Sequence, residues 1–182
     1  MRTKLSFYWR LLGSCVVIFA FCLMPARSQD TPKYREDYAR MQKIEKNNQA
    51  AKRADEIIVF LKERSDLDAR IREYIKGLLA ADLRKLKVQN KYSELKELCE
   101  RAINVNPMLG EVYLYYGYAL KNEKKDTEAM NAFAKGHLIQ NPSMQQAKQE
   151  LDKLYKATHR GSLAGEEKLI STAIQELNKV NK

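Results

Sequence analysis

The sequence predicts an all-α chain: a short α-solenoid of helix hairpins, with flanking helices on its N- and C-terminal sides. Three observations carry the prediction. Apolar residues recur at steps of three and four, and no stretch alternates apolar with polar as a strand would. The strong helix formers Ala, Leu, Lys, Glu and Gln dominate. Asn106-Pro107 and Asn141-Pro142 punctuate the chain 35 residues apart, with two helical segments between them. A repeat of about that length, built from helix-turn-helix units, marks a solenoid.

Composition narrows the field further. The chain has 182 residues, of which 45% are hydrophobic, and this is too apolar for intrinsic disorder. Seven Gly and four Pro are too few for a loop-rich sandwich. Two His and three Cys leave little material for a metal or nucleophile site.

The first residues follow the plan of an export signal. Arg2, Lys4 and Arg10 form a positive head, an uncharged run from Leu11 to Met24 follows, and Pro25 ends it. Ala26 and Ser28 stand where a signal peptidase needs small residues, so cleavage is expected after Ser28. The run is short for a spanning helix of about 20 residues. Retention as an inner-membrane anchor is the alternative. Loss of residues 1–28 removes four basic and no acidic residues, so the charge falls from +10 to +6. It leaves Cys99 as the lone cysteine, with no intrachain disulfide available. Such a chain depends on its apolar core.

The elements follow in order. Thr31-Pro32 starts a helix, with Thr as N-cap and Pro in the first turn. Tyr34, Tyr38, Met41, Ile44, Ala51, Ala54, Ile58 and Leu61 make one stripe, on one helix or on two joined near Asn47-Asn48. Ser65-Asp66 stops it and can cap the next helix, which carries Leu67, Ile71, Ile75, Leu78 or Leu79, Leu83 and Leu86. After a turn at Gln89-Asn90-Lys91, residues 93–105 bury Leu95, Leu98, Cys99 and Ala102. Asn106-Pro107 ends that helix, because the residue before Pro is pushed out of the α region. Residues 110–121 and 127–139 form the next two helices. Ser143 and Gln146 read as a capping box for a helix with Ala147, Leu151, Leu154 and Tyr155. Gly161 is the expected C-cap. A last helix carries Leu169, Ile170, Ile174 and Leu177.

Residues 111–142 resemble a tetratricopeptide repeat. Tyr113, Tyr116, Gly117 and Leu120 match its opening, Ala129, Phe133 and Gly136 its closing, and Pro142 its terminator. The unit before it matches in its second helix, at Tyr92, Cys99, Ala102 and Pro107, but its first helix departs, with Leu79, Asp82, Leu83 and Leu86 at the corresponding places and so no small residue opposite Gly117. The expected organisation is a leader or anchor (1–28), an N-terminal helical segment (29–73), repeats with a capping helix (74–157), the part the resemblance covers, and a C-terminal helix (158–182). The resemblance implies that Gly117 lets the paired helices approach, with Ala129 packed against it. Two such units need covered end faces, which the flanking helices would supply.

The family lines its inner face with the first helix of each unit. By register that face takes Arg84 and Lys87, then Tyr118 and Lys121 with Asn122 adjacent, then Lys153 and Lys156. Such a basic surface with an aromatic floor suits an acidic or carboxylate-bearing peptide. The family's two-carboxylate clamp is absent, since Ala80, Leu114 and Gln149 occupy its positions. Tyr113 and Tyr116 are expected in the core, while Tyr115 and Tyr118 fall elsewhere.

No enzyme is expected. His137 and His159 lack metal-type spacing, Cys99 sits at a buried repeat position, and Glu166-Glu167 read as a solvated face. No catalytic residue, metal or cofactor is assigned. The expected role is a non-catalytic protein–protein interaction module, or scaffold, of the bacterial cell envelope or periplasm. The alternatives are electrostatic binding of anionic lipid or wall polymer, and service as accessory subunit of an envelope enzyme. Export argues against nucleic acid. Membrane association is expected only through an uncleaved leader, and the stripe from Tyr34 to Leu61 is the candidate surface for a homo-oligomer.

Overall fold

The structure, a computed structural model, describes residues 31–180. The leader predicted over residues 1–28 lies outside them. Two compact units divide the chain, Met1–Arg35 and Glu36–Lys182. Of the first, only residues 31–35 are described. They open a helix, where Thr31 Oγ1 accepts the Tyr34 amide at 3.1 Å as the N-cap should.

The described residues are all-α, a fold of helical-repeat type. They form α1 (Pro32–Glu45), α2 (Ala50–Glu63), α3 (Ala69–Val88), α4 (Tyr92–Val105), α5 (Gly110–Asn122), α6 (Asp126–Leu138), α7 (Met144–Thr158) and α8 (Glu166–Val180). Among them no helix is long and apolar enough to cross a membrane.

The turns repeat as the helices do. Asn106 Oδ1 accepts the Met108 amide at 2.9 Å, and Asn141 Oδ1 accepts the Ser143 amide at 2.8 Å. Both Asn-Pro steps are therefore Asx turns, in which the Asn side chain replaces a backbone acceptor. The alternate turns also share a geometry. Asn90, Lys124 and Arg160 take left-handed φ values of 56°, 61° and 53°. The next amide in each case reaches five residues back, Lys91 to Leu86, Lys125 to Leu120 and Gly161 to Lys156. This closure satisfies carbonyls that the helix end leaves open. Gly161 was expected to cap α7, but Arg160 makes the left-handed turn before it.

Packing follows the alternation of a solenoid. In one row α3 lies on α5 and α5 on α7, while on the other side α2 lies on α4 and α6 on α8. The closest pairing is α5 with α6. Phe133 on α6 is wholly buried, and the three atoms nearest to a Cβ added at Gly117 all belong to its ring. The ring of Phe133 lies nearest to Gly117 and fills the space between the helices, as expected of it. Tyr113 is buried, and Tyr116 is half-buried with its hydroxyl 3.2 Å from Glu100 Oε1. Burial, then the Glu100 charge, pushes the Tyr116 phenol up to about 12.

Other expectations change where tertiary contacts intervene. α2 buries Ala50, Ala54, Ile57, Ile58 and Phe60, whereas Ala51 and Leu61 of the expected stripe are half-buried and Tyr38 is exposed. The buried face is wider because α2 meets α3 and α4 on one side and Arg40 of α1 on the other, the guanidinium lying 4.7 Å from the Phe60 ring centre. Asp68, not Ser65 or Asp66, caps α3. Ser143 does not form a capping box, because its hydroxyl donates to Glu111 Oε1 at 2.7 Å. In α8 the buried apolar positions are Ala173 and Leu177, and Ile174 is exposed. Glu166 is buried rather than solvated, held 3.0 Å from Lys148 Nζ.

Asp82, at the place that Tyr116 takes in the next unit, is fully buried. Arg53 of α2 binds it with both arms, at 2.8 and 2.6 Å, and also donates to the Asn47 carbonyl at 3.2 Å. One guanidinium thus fastens α3 to the α1–α2 turn. The Asp82 hydrogen bond raises the Arg53 pKa further above its ordinary value.

Candidate partner-binding face

Helical spacing puts Arg84 and Lys87 on one side of α3, Tyr115, Tyr118 and Lys121 on one side of α5, and Gln146, Glu150 and Lys153 on one side of α7. The α3–α5 and α5–α7 contacts bring these three sides together. Arg84 Nε donates to the Tyr115 hydroxyl at 3.1 Å, which raises the Arg84 pKa above its ordinary value. Lys87 Nζ stands 4.3 Å from the centre of the Tyr118 ring. Tyr118 meets Phe133 edge-on at 5.5 Å and accepts from Gln146 Nε2 at 3.1 Å. Burial raises the Tyr118 phenol. Tyr118 is half-buried, with Phe133 packed against the ring and Lys87 over its face.

Glu150 organises the third part of the face. Lys121 Nζ lies 3.8 Å from one of its oxygens and Lys153 Nζ 3.1 Å from the other. Two of the expected cations are therefore matched by one carboxylate. Arg84 and Lys87 have no carboxylate within ion-pair distance among the described residues. Asn122 is exposed at the end of α5, and Lys156 is exposed on α7, where its charge acts on Asp152. So Arg84, Lys87, Tyr118, Lys121 and Lys153 are brought together, while Asn122 and Lys156 lie at the margin.

Tyr115 was placed off the core by register, but it is buried and positions Arg84. Glu150 was missed, although it sits one helical turn before Lys153, a spacing at which ion pairs form. At the other end of α3 and α5, a cavity of about 150 Å³ is lined by Gly77, Ala80, Met108 and Val112 together with the polar Glu73, Lys76, Glu111 and Asn141. A Cβ at Gly77 would meet nothing within 4 Å, so this part of α3 presents bare backbone surface.

Chemically reactive groups are sparse. Among the described residues no cluster of His, Cys, Asp and Glu could hold a metal ion. Cys99 is fully buried, and that burial pushes its thiol well above the ordinary range. A buried, protonated thiol is a poor nucleophile. His137 is half-buried, with its Nδ1 enclosed and unpartnered.

The arrangement can do one thing well: hold an anionic or hydrogen-bonding segment along adjacent helices, with aromatic surface beneath it. In comparisons of the chain with protein-family models, curated proteins and solved structures, no match was found.

Proposed function

We propose that this protein is a non-catalytic interaction module that binds a protein segment on the face formed by α3, α5 and α7. The resemblance of residues 111–142 to a tetratricopeptide repeat suggests the mode, and the residue contacts support it. The observation that carries the reading is the chain of contacts from Arg84 through Tyr115, and from Lys87 through Tyr118 to Gln146. It makes one surface from three helices that are not consecutive in the chain. The cations without a carboxylate partner lie together at Arg84 and Lys87, the aromatic surface at Tyr118, and the cavity of mixed polar and apolar lining at Gly77. A segment with an acidic end and a bulky apolar residue would match both ends. From Gly77 to Lys87 is about 15 Å along the helix, or four to five residues of extended chain at about 3.3 Å each.

The export signal favours action in the cell envelope or periplasm. Electrostatic binding to anionic lipid or wall polymer is less well supported, since Glu150 offsets Lys121 and Lys153 in the middle of the face. The test is fluorescence anisotropy with acidic peptides carrying one apolar residue at varied distance from the acidic end. Binding should peak at a spacing of four to five residues and fall at least tenfold in an Arg84→Glu/Lys87→Glu/Lys121→Glu variant. Equal binding by the variant, or none by the parent chain, would remove the reading.

A further inference from the structure

We propose that a second site lies where α6, α7 and α8 converge, and that it takes a small organic carboxylate with a flat apolar body. The cleft there has a volume of about 380 Å³, within the range of about 300–1,000 Å³ typical of small-molecule sites. Met130 and Asn131 of α6, Tyr155 and His159 of α7, and Lys168 and Leu169 of α8 line it. It shares none of these residues with the α3–α5–α7 face.

Three features define the ligand. The first is a planar wall. Tyr155 and His159 stack with their centres 3.8 Å apart and their planes within 2°. The wall is built in: the Tyr155 hydroxyl donates to the Ala164 carbonyl at 3.0 Å, and a Cβ at Gly165 would come within 2.9 Å of that hydroxyl. Gly165 also has a φ of 93°, which side chains rarely adopt. Met130 and Leu169 complete an apolar slot, suited to a flat hydrocarbon body.

The second feature is unopposed positive potential. No acidic residue lines the cleft, and Lys168 has no ion-pair partner among the described residues. His159 uses Nδ1 against the Tyr155 carbonyl and the Thr158 hydroxyl, at 3.0 and 2.9 Å, leaving its other ring nitrogen unengaged. With Nδ1–H on a carbonyl, Nε2 of the neutral ring is an acceptor, so the donor for a carboxylate is the Lys168 ammonium. The third is an unmet acceptor. Asn131 Nδ2 donates to Glu176 Oε2 at 3.0 Å, which fixes the amide, and its buried Oδ1 has no donor. Buried acceptors without donors are uncommon, and a ligand hydroxyl or N–H that displaced the groups covering Oδ1 would satisfy this one.

4-Hydroxyphenylacetate combines the three groups and is the probe. The experiment follows the Met130 methyl by NMR on the full chain, with the acid and with its neutral analogue 4-hydroxyphenylacetamide. The acid should give a saturable shift. The amide should bind about tenfold more weakly, as should the acid to a Lys168→Glu variant, the scale of a lost charge-assisted hydrogen bond. Arg84→Glu should leave the titration unchanged, which separates this site from the peptide face. No saturable shift with the acid, or equal affinity for acid and amide, overturns the proposal.

Discussion

Lys87 on α3 holds its ammonium 4.3 Å from the ring centre of Tyr118 on α5, so a solvent-side cation and a core-anchored aromatic join adjacent hairpins. Lys87→Met keeps the stem and removes the charge. It should lower stability by about 0.5–1 kcal/mol, the scale of an exposed cation–π contact. Tyr118→Ala should cost about 2–3 kcal/mol, since it also removes the packing on Phe133. Urea unfolding of the two singles and the double variant should give a coupling near the first figure. Strict additivity would mean that the contact contributes nothing.

Two glycines make opposite predictions. Gly77 is inside α3 with open space around it, so Gly77→Ala should stabilise by about 0.5–1 kcal/mol through helix propensity. Gly117 is covered by the Phe133 ring, so Gly117→Ala should destabilise by about 1–3 kcal/mol through overpacking. Thermal unfolding should move the two midpoints in opposite directions.

The Arg53–Asp82 pair tests whether the N-terminal helices are integral to the stack. Asp82→Ala strands a guanidinium that is paired through both nitrogens, and should cost about 3–5 kcal/mol. Replacing both partners with apolar residues should recover most of the loss. Denaturant midpoints for the single and double variants measure the difference.

Glu166 makes a pH prediction. Burial, then the neighbouring Asp152 carboxyl against the opposing pull of Lys148, holds its pKa above the ordinary value of 4.5. A group whose folded pKa is raised contributes stability that is complete below its unfolded pKa and is lost as pH rises through the folded one. Glu166→Gln should therefore match the parent chain at pH below about 4 and have the higher melting temperature at pH 7. The same midpoint difference at both pH values would mean that Glu166 titrates normally.

Much of the architecture was legible because local pattern and packing agree. Leu95, Leu98, Cys99 and Ala102 follow one helical stripe and are all buried. The two Asn-Pro steps end helices by local chemistry, so their positions are readable without tertiary information. What escaped reading depends on distant partners. Phe60 is buried because Arg40 covers it, and Glu166 because Lys148 on α7 compensates its charge. Likewise the left-handed turn at Lys124 carries no glycine to announce it. The face itself was readable by register at Arg84, Lys87 and Tyr118. Its charge balance was not, because the carboxylate on Lys121 comes from the next hairpin.

The most direct measurement is site-specific photo-crosslinking in the native cell, with the reactive residue at exposed Asn122 beside the face or at exposed Glu97 on α4. The account predicts a discrete partner adduct from position 122 that disappears when Arg84 and Lys87 are reversed in charge, and none from position 97. An adduct from position 97 alone, or one from position 122 that survives the reversal, would contradict it.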